Sequence, residues 1–538
     1  MIDQETKAKL EALENNHVIL KVRQAIELCK PDKVTVVTDS DEDTAYVRQL
    51  AIESGEEQRL STNGHTVHFD GYYDQARDKA NTRILVPEGT VIGKHANTKE
   101  RNEGLAEILG FLDGSMKGKE MLVRFFCLGP LDSEFSIPAM QITDSSYVAH
   151  SEDILYRKGY EQFKKLNGSD QFFSFLHSAG RLDDKGNSAD IDKRRVYIDL
   201  KTDSVYTVNN QYAGNSLGLK KLAMRLAIKK AAREGWMTEH MFIMAAHGKD
   251  KEGNQRKTYF TGAFPSACGK TSTAMIPGQT IIADDISYKR VWPDGTLHAV
   301  NVEQGIFGII ENVNAADDPV IYRALTTPRE LIFSNVLVSD GRPYWLGMGE
   351  DMPYKGVNYS GEWFKGKKGP DGQEILPANK NARYTIRIKE LDNADPKADD
   401  PEGVPVSGFI FGGRDSDTSV PVSQSLDWDH GVLIAASLES ETTAATIGKS
   451  GVRVHNPMAN MDFLSIPLGE YIGNYFSMKD KLKHPPLIFS VNYFLKGDDG
   501  KFLNSKLDKK VWLMWMEGRV HGDFDAIKTP VDHIPKYE

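Results

Sequence analysis

Cysteine is scarce in this chain: Cys29, Cys127 and Cys268 are the only three among 538 residues. So few and scattered thiols exclude a disulfide framework and a thiolate metal site, and they fit a reducing cytoplasm. Long apolar runs are missing as well. A run such as Val432-Leu433-Ile434-Ala435-Ala436 falls far short of the ~20 residues that cross a bilayer, so it reads as a buried strand and no membrane association is expected. The opening Met1-Ile2-Asp3-Gln4-Glu5-Thr6-Lys7 is polar and acidic, without the apolar centre of a secretion signal. Positive charge is not in excess either. Lys and Arg number 66 against 76 Asp and Glu, a net charge of −10, which argues against nucleic-acid partners while leaving room for a basic cleft around an anionic substrate. The 40% apolar content is ample for sizeable cores, and the length suits two to four domains at about 150 residues each.

The most informative stretch is Ala263-Phe264-Pro265-Ser266-Ala267-Cys268-Gly269-Lys270-Thr271. Gly-Lys-Thr opening a helix after an apolar strand builds a phosphate cradle: backbone amides wrap the phosphates, Lys270 reaches the terminal ones and Thr271 holds a divalent cation. The residues around it read as a strand over 257–263 and a helix from 273. The usual pattern has glycine five positions before Gly269, and Phe264 stands there instead, so the loop is not a generic one. A short way on, Thr280-Ile281-Ile282-Ala283-Asp284-Asp285 is a buried-strand pattern ending in two carboxylates, where phosphate-loop folds keep a metal-holding Asp.

The first 235 residues or so alternate strand and helix patterns, such as Lys33-Val34-Thr35-Val36-Val37-Thr38 before an amphipathic stretch at 43–53, which predicts an α/β domain. A helix over 217–234 would put Leu219, Leu222 and Leu226 on one stripe and stop at Gly235. From about residue 240 the pattern becomes strand, phosphate loop, helix, strand, double Asp and many short strands, a mixed sheet that carries a nucleotide. The stretches 365–379 and 392–405 are rich in Gly, Lys, Pro or acidic residues and read as surface loops.

The loop 264–271 and Asp284-Asp285 resemble the signature of the GTP-type phosphoenolpyruvate carboxykinases. Further segments follow in family order: Gly129-Pro130-Leu131, Thr143-Asp144-Ser145, Tyr212-Ala213-Gly214-Asn215-Ser216, Lys220-Lys221, Glu239-His240-Met241, 301–308, Asn381-Ala382-Arg383 and Phe411-Gly412-Gly413-Arg414. The resemblance spans roughly residues 70–520 and is weak in the first 60. It implies an α/β, two-domain carboxykinase-like fold: an N-terminal substrate-binding domain over 1–235, and over 236–538 a mixed-sheet phosphate-loop domain for nucleotide and metal, with a mobile lid near 440–451. It also implies a cytoplasmic monomer that reversibly decarboxylates oxaloacetate and phosphorylates the enolate with GTP, giving phosphoenolpyruvate, CO2 and GDP, a gluconeogenic or anaplerotic step.

The same resemblance assigns roles. One manganese ion per site would be held by Lys221, His240 and Asp285, with magnesium accompanying the nucleotide at Thr271. Lysine must be neutral to coordinate, and a nearby dication and Lys220 would both depress its pKa. Lys220 would stabilise charge near the enolate or CO2. Arg77 would grip the substrate carboxylate as a planar bidentate donor, with Tyr212, Ala213, Gly214, Ser266 and Asn381 completing the substrate pocket. Arg383 and Arg414 would neutralise the phosphoryl group in flight. Ala267, Cys268, Gly269, Lys270, Thr271 and Ser272 would line the phosphates, and Cys268, beside Lys270 at a helix start, would be a reactive thiol of lowered pKa. Phe494 and Phe502 would stack on the base.

The base pocket departs from the family, because Leu507 and Lys510 stand where another aromatic and an Asn are expected. Losing base-edge bonds puts GTP in competition with ATP or pyrophosphate. Another phosphate-loop kinase and a silent nucleotide-binding module are the other readings. The Lys220-Lys221 and His240 spacing disfavours the first; Arg77, Arg383, Arg414 and the lid disfavour the second.

Overall fold

The computed structural model describes residues 2–184, 186–265, 268–442 and 451–536. Its α/β chain forms two compact units, one of residues 1–132, 136–226 and 303–390, the other of 133–135, 227–302 and 391–538. Residues 303–390 thus pack with the N-terminal part of the chain.

The first unit is built on a nine-stranded mixed sheet. Its Glu120–Leu128 strand is a nearly unbroken apolar run buried on both faces, as a strand sandwiched between layers must be. It pairs parallel with Lys33–Val36 and antiparallel with Ile137–Thr143. The helix Asn16–Cys29 covers this sheet because Val18, Val22, Ala25 and Cys29 recur on one face. Its start is fixed by Asn15, whose side chain accepts from the amides of His17 and Val18. A five-stranded sheet joins Gly305–Ile309, Arg383–Arg387, Leu331–Ser334, His65–His68 and Gln58–Arg59, which is how residues after 303 become part of this unit.

An ionic network ties these layers. Arg48 bonds both Asp153 (2.9 Å) and Glu330, Arg387 bonds Glu330, and His150 lies between Glu57 (2.9 Å) and Glu330 (3.3 Å). Burial alone would raise the Glu330 carboxyl, but bonds from His150 and Arg48 and the charges of Arg48 and Arg387 outweigh it and hold the group well below the usual carboxylate range. A depressed carboxylate stabilises the fold above its ordinary pKa near 4.5 and loses that contribution as the pH falls through its folded value. Glu330→Gln should therefore cost about 3 kcal/mol at neutral pH, with the gap to the parent closing in acid. Urea unfolding at several pH values checks this; a gap independent of pH would contradict it.

The second unit holds an eleven-stranded mixed sheet. Its centre is Gln255–Ala263, antiparallel to Phe242–Lys249 and parallel to Val404–Gly413, which in turn runs parallel to Leu487–Asn492. Thr280–Ala283 adds to Phe242–Lys249. Phe264 is buried, and a side chain on Gly412 would strike its ring. The aromatic at the unusual loop position is therefore part of the core. The loop 392–405 is not purely superficial: Asp395 is buried and bonds Lys257 (3.0 Å) and Thr280.

Two local expectations fail. The run 432–436 is not a strand but the end of helix Trp428–Ala436, with Trp428, Gly431, Val432 and Ala435 buried at helical spacing. Asp427 caps it by accepting from the His430 amide at 2.8 Å, and Leu433 and Ile434 face outward. The helix over 217–234 is also not continuous: Gly218–Leu222 forms a π-helical turn in which Lys220 leaves helical geometry (φ −87°, ψ −120°), and the α-helix proper is Ala223–Glu234. Leu219, Leu222 and Leu226 are nonetheless buried, and Gly235 ends the helix at φ +75°.

Candidate active site

In the first unit the turn after Ser204–Val208 presents Tyr212. Asp74 fixes this turn by accepting from the amides of Gln211 and Tyr212, while Arg194 bonds its other oxygen at 2.7 Å. Burial, with Asp70 nearby, raises the Asp74 carboxyl to about 6. Gly214 is forced: a Cβ there would lie 2.4 Å from the Tyr212 ring and 3.1 Å from Arg77 Cγ. Asn381 Nδ2 donates to the Tyr212 hydroxyl at 2.8 Å. Arg383 Nη2 donates to the same hydroxyl at 3.2 Å and to Asn381 Oδ1 at 2.8 Å. Arg77, Tyr212, Gly214, Asn381 and Arg383, with Ala213 in the same turn, are thus gathered from three distant stretches of chain.

Lys220 and Lys221 are both buried. Lys220 Nζ donates to Glu303 Oε1 at 2.6 Å, and the Tyr156 hydroxyl donates to the same oxygen at 3.1 Å. Neither Asp74 nor Glu303 is among the residues anticipated from sequence. Glu303 lies inside the family-like segment 301–308, which is the one signal that could have raised it.

In the second unit His240 follows strand Met237–Glu239, and Asp285 follows strand Thr280–Ala283. His240 Nε2 and Asp285 Oδ1 are 2.9 Å apart. The Phe463 ring lies edge-on to His240 with centroids 4.9 Å apart, and His240 Nδ1 is 3.3 Å from the Ala459 carbonyl oxygen. That carbonyl belongs to a strained pair, Met458 and Ala459, at φ +51° and +52°. Nothing in the sequence announced it.

Gly269 adopts φ +101° at the start of helix Lys270–Ala274, a conformation that favours glycine. Lys270 Nζ bonds Asp285 Oδ1 (3.0 Å), the Asp285 carbonyl (2.7 Å) and the His240 carbonyl (3.2 Å). Thr271 and Ser272 lie in the first turn of the same helix, both half-buried. The expected low thiol pKa of Cys268 is not found: burial raises it, outweighing the opposing Ser440 hydroxyl and Arg414. Sγ lies 3.5 Å from Ser440 Oγ. Arg414 stacks its guanidinium 3.8 Å from the Phe494 centroid, and Phe494 meets Phe502 edge to face at 5.9 Å. Leu507 is 71% exposed, so it closes nothing over these rings. Ser266, Ala267 and residues 443–450 of the anticipated lid lie outside the described residues.

Residues 236–538 match the phosphoenolpyruvate carboxykinase C-terminal P-loop domain, and residues 21–232 the N-terminal domain of the same family. Relatives named phosphoenolpyruvate carboxykinase [GTP] include one from Pyrococcus abyssi, 57% identical over 98% of this chain and 85% of its own length. Another, from Thermococcus kodakarensis, is 56% identical over 100% and 86%, and one from Saccharolobus solfataricus is 48% identical over 100% and 85%. The chain belongs to the phosphoenolpyruvate carboxykinase family.

Proposed function

We propose that this chain catalyses the reversible decarboxylation of oxaloacetate with phosphoryl transfer from GTP, yielding phosphoenolpyruvate, CO2 and GDP. The observation that carries the reading is the convergence of Lys270, His240 and Asp285 at one corner of a phosphate-loop domain, in a chain that matches GTP-named carboxykinases along nearly its whole length. The Lys270 ammonium rests there among three oxygens, which supports a corner suited to cations. To His240 and Asp285 family resemblance adds Lys221 as a third donor. This imidazole, carboxylate and amine set suits manganese. Bound there, the ion would supply positive charge for the enolate oxygen; magnesium would accompany the nucleotide at Thr271.

Arg77 clamps the substrate carboxylate, and Tyr212, held by Asn381 and Arg383, orients it. Lys220 contributes positive charge where the enolate develops. Lys270, Arg383 and Arg414 spread positive charge along the phosphates during transfer. Three buried cysteines, none of them in a disulfide, support a cytoplasmic location, and no helix among the described residues is long and apolar enough to cross a membrane. A monomer that binds neither nucleic acid nor membrane completes the proposal.

Base choice follows from the open aromatic pair. Phe494 already carries the Arg414 guanidinium on its ring, Phe502 is 51% exposed, and Leu507 and Lys510 replace the rest of the pocket. Each base-edge bond is worth on the order of 1 kcal/mol net, so GTP should be preferred over ATP only modestly, roughly tenfold in kcat/KM. Turnover with GTP, ATP, ITP and pyrophosphate compared side by side tests this. A preference for ATP, or turnover with pyrophosphate alone, would overturn GTP as the favoured phosphoryl donor and leave the decarboxylation chemistry standing.

A further inference from the structure

Lys509 opens the helix Lys509–His521, and it is buried, with only 7% of its surface exposed. Its place is set by the turn before it, where the Ser505 hydroxyl and the Asp508 carboxylate cap each other's end of the chain. From there the side chain runs inward to the phosphate loop: Nζ donates to the hydroxyl of Ser272. A Cβ placed on Gly269 would lie 3.7 Å from the same Nζ. The ammonium also sits 4.9 Å from the centroid of Tyr493, whose hydroxyl accepts from Thr273 Oγ1 at 3.1 Å. Tyr493 is itself held between Phe264, 5.9 Å away, and Trp512, 5.3 Å away. Lys509 is therefore part of a rigid group that includes the loop glycine and the first turn after it.

Two ammonium groups reach this loop at different points. Lys270 turns toward Asp285 and the His240 carbonyl, while Lys509 meets the loop at Ser272. A lysine ammonium is a compact positive charge with three donors, a group suited to phosphate oxygens. We propose that Lys509 is a further phosphate-binding residue, contacting the phosphate chain of a nucleoside di- or triphosphate from the Ser272 side. The inference rests on the nucleotide reading given above. It also gives a reason for tolerating an open base pocket, because affinity then lies more in the phosphates and less in the base.

Calorimetric titration of GDP with magnesium, and of guanosine as the phosphate-free probe, tests it on the parent and on K509Q and K509M. Gln still offers Ser272 a hydrogen bond, whereas Met offers none; both remove the charge, and either alone suffices if the other does not fold. A charge-assisted contact is worth about ten- to a hundredfold in affinity. Both variants should lose about that much for GDP while guanosine changes by less than about threefold. Unchanged GDP affinity would overturn the inference, as would equal loss for GDP and guanosine, or restoration by Gln but not Met, since each would make Lys509 a support for the loop and not a ligand. A parent that failed to bind GDP at all would overturn the nucleotide reading itself, and the inference with it.

Discussion

His240→Ala, Asp285→Ala and Lys221→Ala should each lower manganese-dependent turnover at least about a thousandfold while leaving the chain folded. The decarboxylation step builds negative charge on the enolate oxygen, and without a cation nearby that charge has nothing to meet it. His240 and Asp285 already face each other at 2.9 Å. His240 also leans on Phe463 and on the carbonyl of a residue held at positive φ, so its imidazole is oriented before any ligand arrives. None of the three side chains forms the apolar core, which is why stability should survive. Steady-state kinetics with manganese, alongside thermal melting, measure both quantities. A well-folded His240→Ala retaining near-full turnover would remove His240 from the metal set.

Lys270→Ala should separate the two chemical steps. Phosphoryl transfer needs an ammonium on the terminal phosphates, whereas decarboxylation of oxaloacetate to an enolate needs only charge at the enolate oxygen. The variant should lose phosphoenolpyruvate formation by about a thousandfold or more and still release pyruvate slowly from oxaloacetate. Quantifying both products in one reaction decides the matter: equal loss of the two, with metal bound, would contradict the division of labour.

Much of this was legible in the chain itself where local chemistry dominates. Gly269-Lys270-Thr271 after an apolar strand and Asp284-Asp285 at the end of another are short-range patterns; the 3.0 Å contact that the structure places between Lys270 and Asp285 is an addition to them. The run 432–436 misled because a short apolar stretch has no period of its own. The Asp427 cap and Trp428 at the start of the helical stripe carry the decisive signal, and both lie outside the run. Cys268 misled for a different reason. Its sequence neighbours favour the thiolate, but burial, which is set by tertiary packing and not by sequence neighbours, raises the thiol in spite of the opposing Ser440 and Arg414. Asp74, Glu303 and Lys509 escaped notice likewise: each acts through partners more than 80 residues away, a separation over which neither periodicity nor motif spacing carries information.

Decarboxylation and phosphoryl transfer should be coupled, with GTP as the donor. Product balance on the purified chain, with oxaloacetate, manganese, magnesium and each phosphoryl donor in turn, measures it most directly. Phosphoenolpyruvate, CO2 and GDP should appear in equal amounts when GTP is supplied. Oxaloacetate consumed without any phosphoenolpyruvate, whichever donor is present, would contradict it.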